Sequence, residues 1–195
     1  MATLWFGGSF NPIHNAHLIC ARAVAERGGF DRIILVPSAQ PPHKPGSTDL
    51  AAPEHRLAMC RLATAGDPLF DVDDLELRRS GPSYTIDTVL ELKRRGEKQV
   101  NWLIGADMLA ILPQWHRPED LIREANLILM ARPGWRFDFA SLPPAFRHLE
   151  KNIIEAPLID ISATEIRRRI REGRSIRYLV PEAVERYIRE RDLYR

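Results

Sequence analysis

The sequence predicts an α/β fold: a Rossmann-like, doubly wound, mainly parallel sheet with helices on both faces and a helical C-terminal segment. Short apolar runs alternate with longer stretches of helical periodicity, the order that builds parallel strands with right-handed crossovers. The runs are continuous rather than alternating, as strands covered on both faces require. A glycine-containing turn follows the first run, at the carboxyl end of a strand, where such sheets bind ligands.

Residues 3–6, Thr-Leu-Trp-Phe, read as a buried strand, and residues 18–26 as a helix. Between them lies Gly7-Gly8-Ser9-Phe10-Asn11-Pro12-Ile13-His14-Asn15-Ala16-His17. A glycine pair lets backbone N–H groups approach a ligand that a Cβ would repel, although glycine here can also be only a turn. The helix N-terminus adds partial positive charge, which makes the segment an anion site. His14 and His17, three residues apart, share one helix face and suit a phosphate chain. Zinc would need a third and usually a fourth ligand. Cys20 and Cys60 fall in helical apolar patterns and read as packing residues. The segment is neither the three-glycine dinucleotide fingerprint nor a P-loop.

Gly28-Gly29 ends the first helix. Residues 33–36 form an apolar, β-branched strand, and 53–65 a helix with Pro53 in its first turn and Leu57, Cys60 and Leu62 on its apolar side. Residues 69–72 read as a weaker strand, 84–95 as a helix, 100–104 and 127–130 as strands, the last closed by Arg132-Pro133-Gly134. No repeat or low-complexity tract interrupts the pattern, and residues 1–195 read as one domain.

Composition narrows the function classes. Hydrophobic content is 45% and charged content 28%, ordinary for a globular protein. A net charge of +2 gives no case for nucleic-acid binding. Two cysteines make no disulfide framework and favour a reducing compartment. The N-terminal residues lack a secretory pattern, and no stretch reaches the ~18 apolar residues of a membrane span. The expectation is a soluble, cytoplasmic protein with no nucleic-acid or membrane partner.

Four further segments are candidate site elements. Val36 to Pro45 is a proline-stiffened loop in which Lys44 either faces water or presents a compact charge to a phosphate. Arg79-Ser80-Gly81-Pro82-Ser83-Tyr84-Thr85 precedes a helix, where Ser83 or Thr85 can cap it and free N–H groups can take a carboxylate. Gly105-Ala106-Asp107 follows a strand, with Leu112-Pro113-Gln114-Trp115-His116 beyond. Asp107 can bind a ribose hydroxyl, orient a Mg²⁺-bound water or cap residues 108–112. Trp115 is core or a flat face for an aromatic ring. Ile161-Ser162-Ala163-Thr164-Glu165-Ile166-Arg167 carries a capping box between Ser162 and Glu165, and Arg167 leans back toward that helix start. Hydroxyl, N–H groups and guanidinium can together hold a polyphosphate. The arginines that follow, 168 to 177, read as a solvated face.

The first motif resembles the signature of the nucleotidyltransferase superfamily with a His-x-Gly-His element, with Ala16 for glycine, Ser9 for threonine and Asn11 for aspartate. The later segments narrow the resemblance to the bacterial-type nicotinate-nucleotide adenylyltransferases: Pro-Pro-His-Lys, Ser-Tyr-Thr-x-Asp-Thr, Gly-Ala-Asp with Trp-His, and Ile-Ser-Ala-Thr-x-Ile-Arg, where Ala163 replaces a serine. The resemblance implies adenylyl transfer from ATP to nicotinate mononucleotide with release of pyrophosphate. It implies an ATP site of Gly8, Ser9, Phe10, His14, His17, Gly105, Asp107, Ile161, Ser162 and Arg167. It implies an acceptor site of Asn11, Lys44, Ser83, Tyr84, Thr85 and Trp115. His14, His17, Lys44 and Arg167 are the catalytic set, and Mg²⁺ is held through ATP phosphates and water rather than by a protein metal site. A sister enzyme with another phosphorylated acceptor, such as phosphopantetheine, shares the first and last motifs but gives no reason for the middle two. A non-catalytic nucleotide sensor or nucleic-acid module is the alternative of a different class.

Overall fold

The structure is a computed structural model that describes residues 1–42 and 49–195. Six strands form one sheet in the order β3-β2-β1-β4-β5-β6: β1 (Thr3–Gly8), β2 (Arg32–Pro37), β3 (Phe70–Val72), β4 (Asn101–Gly105), β5 (Asn126–Ala131) and β6 (Ile153–Glu155). Every strand pairing is parallel. The helices are α1 (Asn15–Gly28), α2 (Pro53–Thr64), α3 (Thr85–Arg94), α4 (Pro118–Glu124), α5 (Ala163–Arg171) and α6 (Glu182–Glu190), with 3₁₀ turns between several of them. The order reverses between β1 and β4, which leaves a crevice at their carboxyl ends.

Continuous apolar runs bury both faces. On β1, Leu4 and Phe6 enter one core while Trp5 enters the other; Ile33 and Leu35 on β2 oppose Ile34 and Val36 in the same way. The first core includes Ala21 and Val24 of α1, Met59 and Cys60 of α2, and Val184 and Ile188 of α6. The second includes Ile86 and Val89 of α3 and Leu121 of α4. Gly29, at φ 70°, takes the left-handed cap that ends α1 and donates to the Ala25 carbonyl.

Two expectations need correction, and two elements were not expected. The buried stripe of α2 is Arg56, Met59, Cys60 and Thr64, with Leu57 half-buried and Leu62 36% exposed. Two elements carried no periodic signal: α4 has seven residues and β6 three at the sheet edge. The expected capping box at α5 is one-sided. Ser162 Oγ accepts from Glu165 N at 3.2 Å, while the Glu165 carboxylate takes Arg168 instead at 2.8 Å.

Candidate active site

The first motif runs from the end of β1 into α1. A Cβ on Gly7 would lie 2.3 Å from the Trp102 ring, and one on Gly8 would lie 3.0 Å from the Phe10 ring. The glycine pair therefore serves close packing as well as ligand approach. Phe10 adopts φ 44°, a left-handed conformation that a bulky side chain rarely accepts, and its ring is buried. Its edge meets His17 with centroids 5.2 Å apart.

His14 and His17 stack at 3.6 Å with a 20° interplanar angle. The His14 backbone N–H donates to His17 Nδ1 at 3.2 Å. That bond makes Nδ1 the acceptor and places the proton of a neutral ring on Nε2. Burial lowers the His14 pKa to about 4, and burial with the neighbouring His14 holds His17 well below its usual value. Both rings are neutral near pH 7. His14 Nδ1 and Arg167 Nε are buried without a protein partner among the described residues.

Asn11 lies buried beneath this motif. Its Nδ2 donates to the Asp49 carbonyl at 2.7 Å, and its Oδ1 accepts from Ala51 N at 3.0 Å. Both ends of the Asn11 amide are thus engaged within the protein. Arg167, 7% exposed on the first turns of α5, donates to the Asn11 carbonyl at 2.9 Å. Ser162 is exposed at the start of α5, with Ile161 beside it. Lys44 lies outside the described residues.

Arg56 was not among the expected site residues. It is fully buried on α2 and donates to four carbonyls: Ala51 at 2.9 Å, Ser9 at 2.8 Å, Ser38 at 2.6 Å and Ala39 at 3.0 Å. One guanidinium thus ties the first motif to the loop after β2. The available signal was an arginine three and four residues before Met59 and Cys60, on the buried stripe of a helix.

A cavity of about 730 Å³ opens at the carboxyl ends of β1 and β4. Gly8, Ser9, Ser83, Tyr84, Thr85, Gly105 and Trp115 line it, so seven expected residues share one space at the sheet's switch point. Ser83 does not cap α3. Its Oγ accepts from Ala39 N at 3.0 Å and Gln40 N at 3.2 Å, and the N-cap is Tyr84 without a side-chain bond. The first N–H groups of α3 therefore remain open to an anion. Tyr84 stacks on His116 at 4.2 Å. Trp115 is half-buried and packs against the second core.

Glu76 also lines the cavity. Burial pushes its carboxyl pKa up, while hydroxyls of Thr88, at 2.6 Å, and Ser83 hydrogen-bond to it. Asp107 does not cap the 3₁₀ turn that follows β4. It lies within that turn and its carboxylate accepts from Arg132 at 2.9 Å.

Among the described residues no three His, Cys, Asp or Glu side chains form a metal site, and no helix is long and apolar enough to cross a membrane. The family model described as cytidylyltransferase-like matches residues 5–169. A relative from Roseiflexus sp. (strain RS-1), named a probable nicotinate-nucleotide adenylyltransferase, is 41% identical over 191 residues, covering 97% of this chain and 96% of its own. One of the same name from Thermus thermophilus is 45% identical over 193 residues, covering 97% of each. The Plasmodium falciparum nicotinic acid mononucleotide adenylyltransferase complexed with NaAD has the same fold. It superposes with a TM-score of 0.77 over 99% of this chain and 97% of that one, at 20% identity.

Proposed function

This chain belongs to the nicotinate-nucleotide adenylyltransferase family, and from that premise we propose how its site transfers the adenylyl group of ATP to nicotinate mononucleotide. The products are nicotinate adenine dinucleotide and pyrophosphate, a step of NAD biosynthesis. An oxygen of the mononucleotide phosphate attacks the α-phosphorus of ATP; the new P–O bond forms as the bond to the bridging oxygen breaks, and pyrophosphate leaves with that electron pair. The attacking oxygen is already an anion, so no general base is required. Catalysis rests on in-line positioning and on stabilising charge across the phosphates.

The observation that carries this reading is the stacked, neutral histidine pair at the N-terminus of α1, reached through the Gly8-Ser9 turn that lines the cavity at the switch point. His17 donates from Nε2 to the phosphates as charge shifts to the leaving group, and His14 orders it from below. Arg167 and Lys44 neutralise phosphate charge, with Ser162 at the mouth of α5. Mg²⁺ would be held through the ATP phosphate oxygens and water and would supply neutralisation of the polyphosphate charge. Gly105, which lines the cavity, and Asp107, two residues on, are assigned to the adenosine half.

For the acceptor, Trp115 and Tyr84 offer aromatic faces to the pyridine ring. The open N–H groups at Thr85 receive its carboxylate, which favours the acid over the neutral amide. Residues 1–195 act as one unit, because both cores share a single sheet. The free, buried Cys20 and Cys60 fit a cytoplasmic setting.

Pyrophosphate release with MgATP, comparing nicotinate and nicotinamide mononucleotides, tests the reading. A clear kcat/KM preference for the nicotinate form is expected. Equal use of both removes the role of Thr85, and no release with either overturns the acceptor.

A further inference from the structure

Asn11, Asp49 and Arg167 close a ring of contacts. Asn11 Nδ2 donates to the Asp49 carbonyl at 2.7 Å, Asp49 Oδ2 lies 3.8 Å from Arg167 Nη2, and Arg167 Nη1 donates back to the Asn11 carbonyl at 2.9 Å. Arg171 steadies the Asp49 carboxylate from outside at 3.3 Å. The ring joins the first motif, the segment just past the loop after β2, and α5. Its remaining acceptor is Asn11 Oδ1, which takes the Ala51 N–H and, at 2.9 Å, the hydroxyl of Tyr194. The Ala51 N–H, a donor only, and the Asp49 carbonyl, an acceptor only, give the amide one orientation, and the Tyr194 hydroxyl then donates to the same oxygen.

We infer that Tyr194 is a positioning residue for adenylyl transfer: its hydroxyl holds the oriented Asn11 amide in place with a second bond to Oδ1, and the ring of contacts carries that constraint to the Arg167 guanidinium. The inference rests on the phosphate role proposed above for Arg167. Tyr194 sits beyond the end of α6 at φ 66°, a left-handed conformation that a tyrosine keeps only where its surroundings hold it. Its ring packs at the margin of the first core, so backbone and ring are both committed to delivering the hydroxyl. Burial pushes the Tyr194 hydroxyl pKa up and keeps it a neutral donor.

Tyr194→Phe removes the hydroxyl and keeps the ring. Three measurements separate positioning from packing: thermal unfolding, binding of a non-hydrolysable ATP analogue with Mg²⁺, and steady-state kinetics with ATP. Each is made on the parent, Tyr194→Phe, Arg167→Lys and the double variant. The expected result is analogue binding and KM for ATP weakened ~5-fold, the size of one net hydrogen bond, with Tm nearly unchanged. The double variant should be no worse than Arg167→Lys alone. Unchanged nucleotide parameters in Tyr194→Phe overturn the inference, and so do losses that multiply in the double variant or that follow Tm. Analogue binding needs no acceptor. If the parent binds the analogue but does not adenylylate nicotinate mononucleotide, the proposed acceptor fails while the binding series still decides the role of Tyr194.

Discussion

The two walls of the site are built in opposite ways. The wall around the first motif gathers Ser9, Asn11, Arg56 and Arg167 from distant parts of the chain and fastens them through buried bonds to backbone carbonyls. The wall at the start of α3 and beyond β4 uses two short contiguous runs, 83–85 and 114–116, which present stacked rings and open N–H groups to the cavity. Stabilising a transferring phosphate requires donors already in place, because reorganising them costs energy at the moment of reaction. Recognising a flat ring tolerates adjustable aromatic faces. The denser fastening is therefore on the wall proposed to hold the phosphates.

The largest test of that contrast is Arg56→Leu. It strands four carbonyls that held one guanidinium, at a cost of ~4 kcal/mol or more if each loss is about 1 kcal/mol or above. Urea denaturation reads it directly, and a loss under ~1 kcal/mol would show that the fastening is slack.

An acid titration is next in size and acts on the two walls with opposite sign. The folded pKa of His14, about 4, lies below its ordinary 6.5. The unfolded chain therefore takes the proton first, and this stability is complete above 6.5 and lost as pH falls toward 4. The shift corresponds to ~3 kcal/mol. Glu76, raised by burial, runs the other way: its contribution is present below the unfolded value and lost as pH rises through the folded one. His14→Gln should reduce the loss between pH 6.5 and 4 without abolishing it, because His17 is also held well below its usual value, and Glu76→Gln should leave the loss in place, as denaturation midpoints across that range will show.

His17→Ala removes the donor proposed to meet developing charge and should lower kcat ~10²-fold, as loss of a comparable preorganised donor does, with little change in KM for nicotinate mononucleotide. Trp115→Ala should do the reverse at smaller size. KM for nicotinate mononucleotide should rise ~10-fold, the scale of one aromatic contact, while kcat changes little. If both variants move the same constant, the two walls do not divide the work.

The same contrast explains what was legible in the sequence. Apolar runs marked four of the strands because a strand covered on both faces needs unbroken hydrophobicity, and contiguous motifs marked Ser83 to Thr85 and Trp115. Their surroundings were less readable. Ser83 looked like a helix cap, since serine before a helix usually is one, yet its hydroxyl serves a loop brought alongside only by β2. Asp107 suggested a cap and forms an ion pair with Arg132 from the end of β5. Arg56 and Tyr194 act on backbone carbonyls or on one amide far away in the chain. Such partners leave no residue-type signature, and only the folded path of the chain reveals them.

Arg56 has one more consequence, as a source of potential rather than as a fastener. Its partners are carbonyl dipoles, which satisfy its hydrogen-bonding capacity without supplying a countercharge. A positive charge is thus held under the backbone of the first motif, offset at longer range by the Glu54 and Glu76 carboxyl groups and weakly screened by the surrounding protein. Arginine stays protonated in proteins, so no change of pH in the working range switches that charge off. With the phosphate role proposed for the first motif, such a field would favour capture of an incoming polyanion there before any side chain touches it. Capture of this kind is a rate effect and weakens as added salt shortens the range of the field.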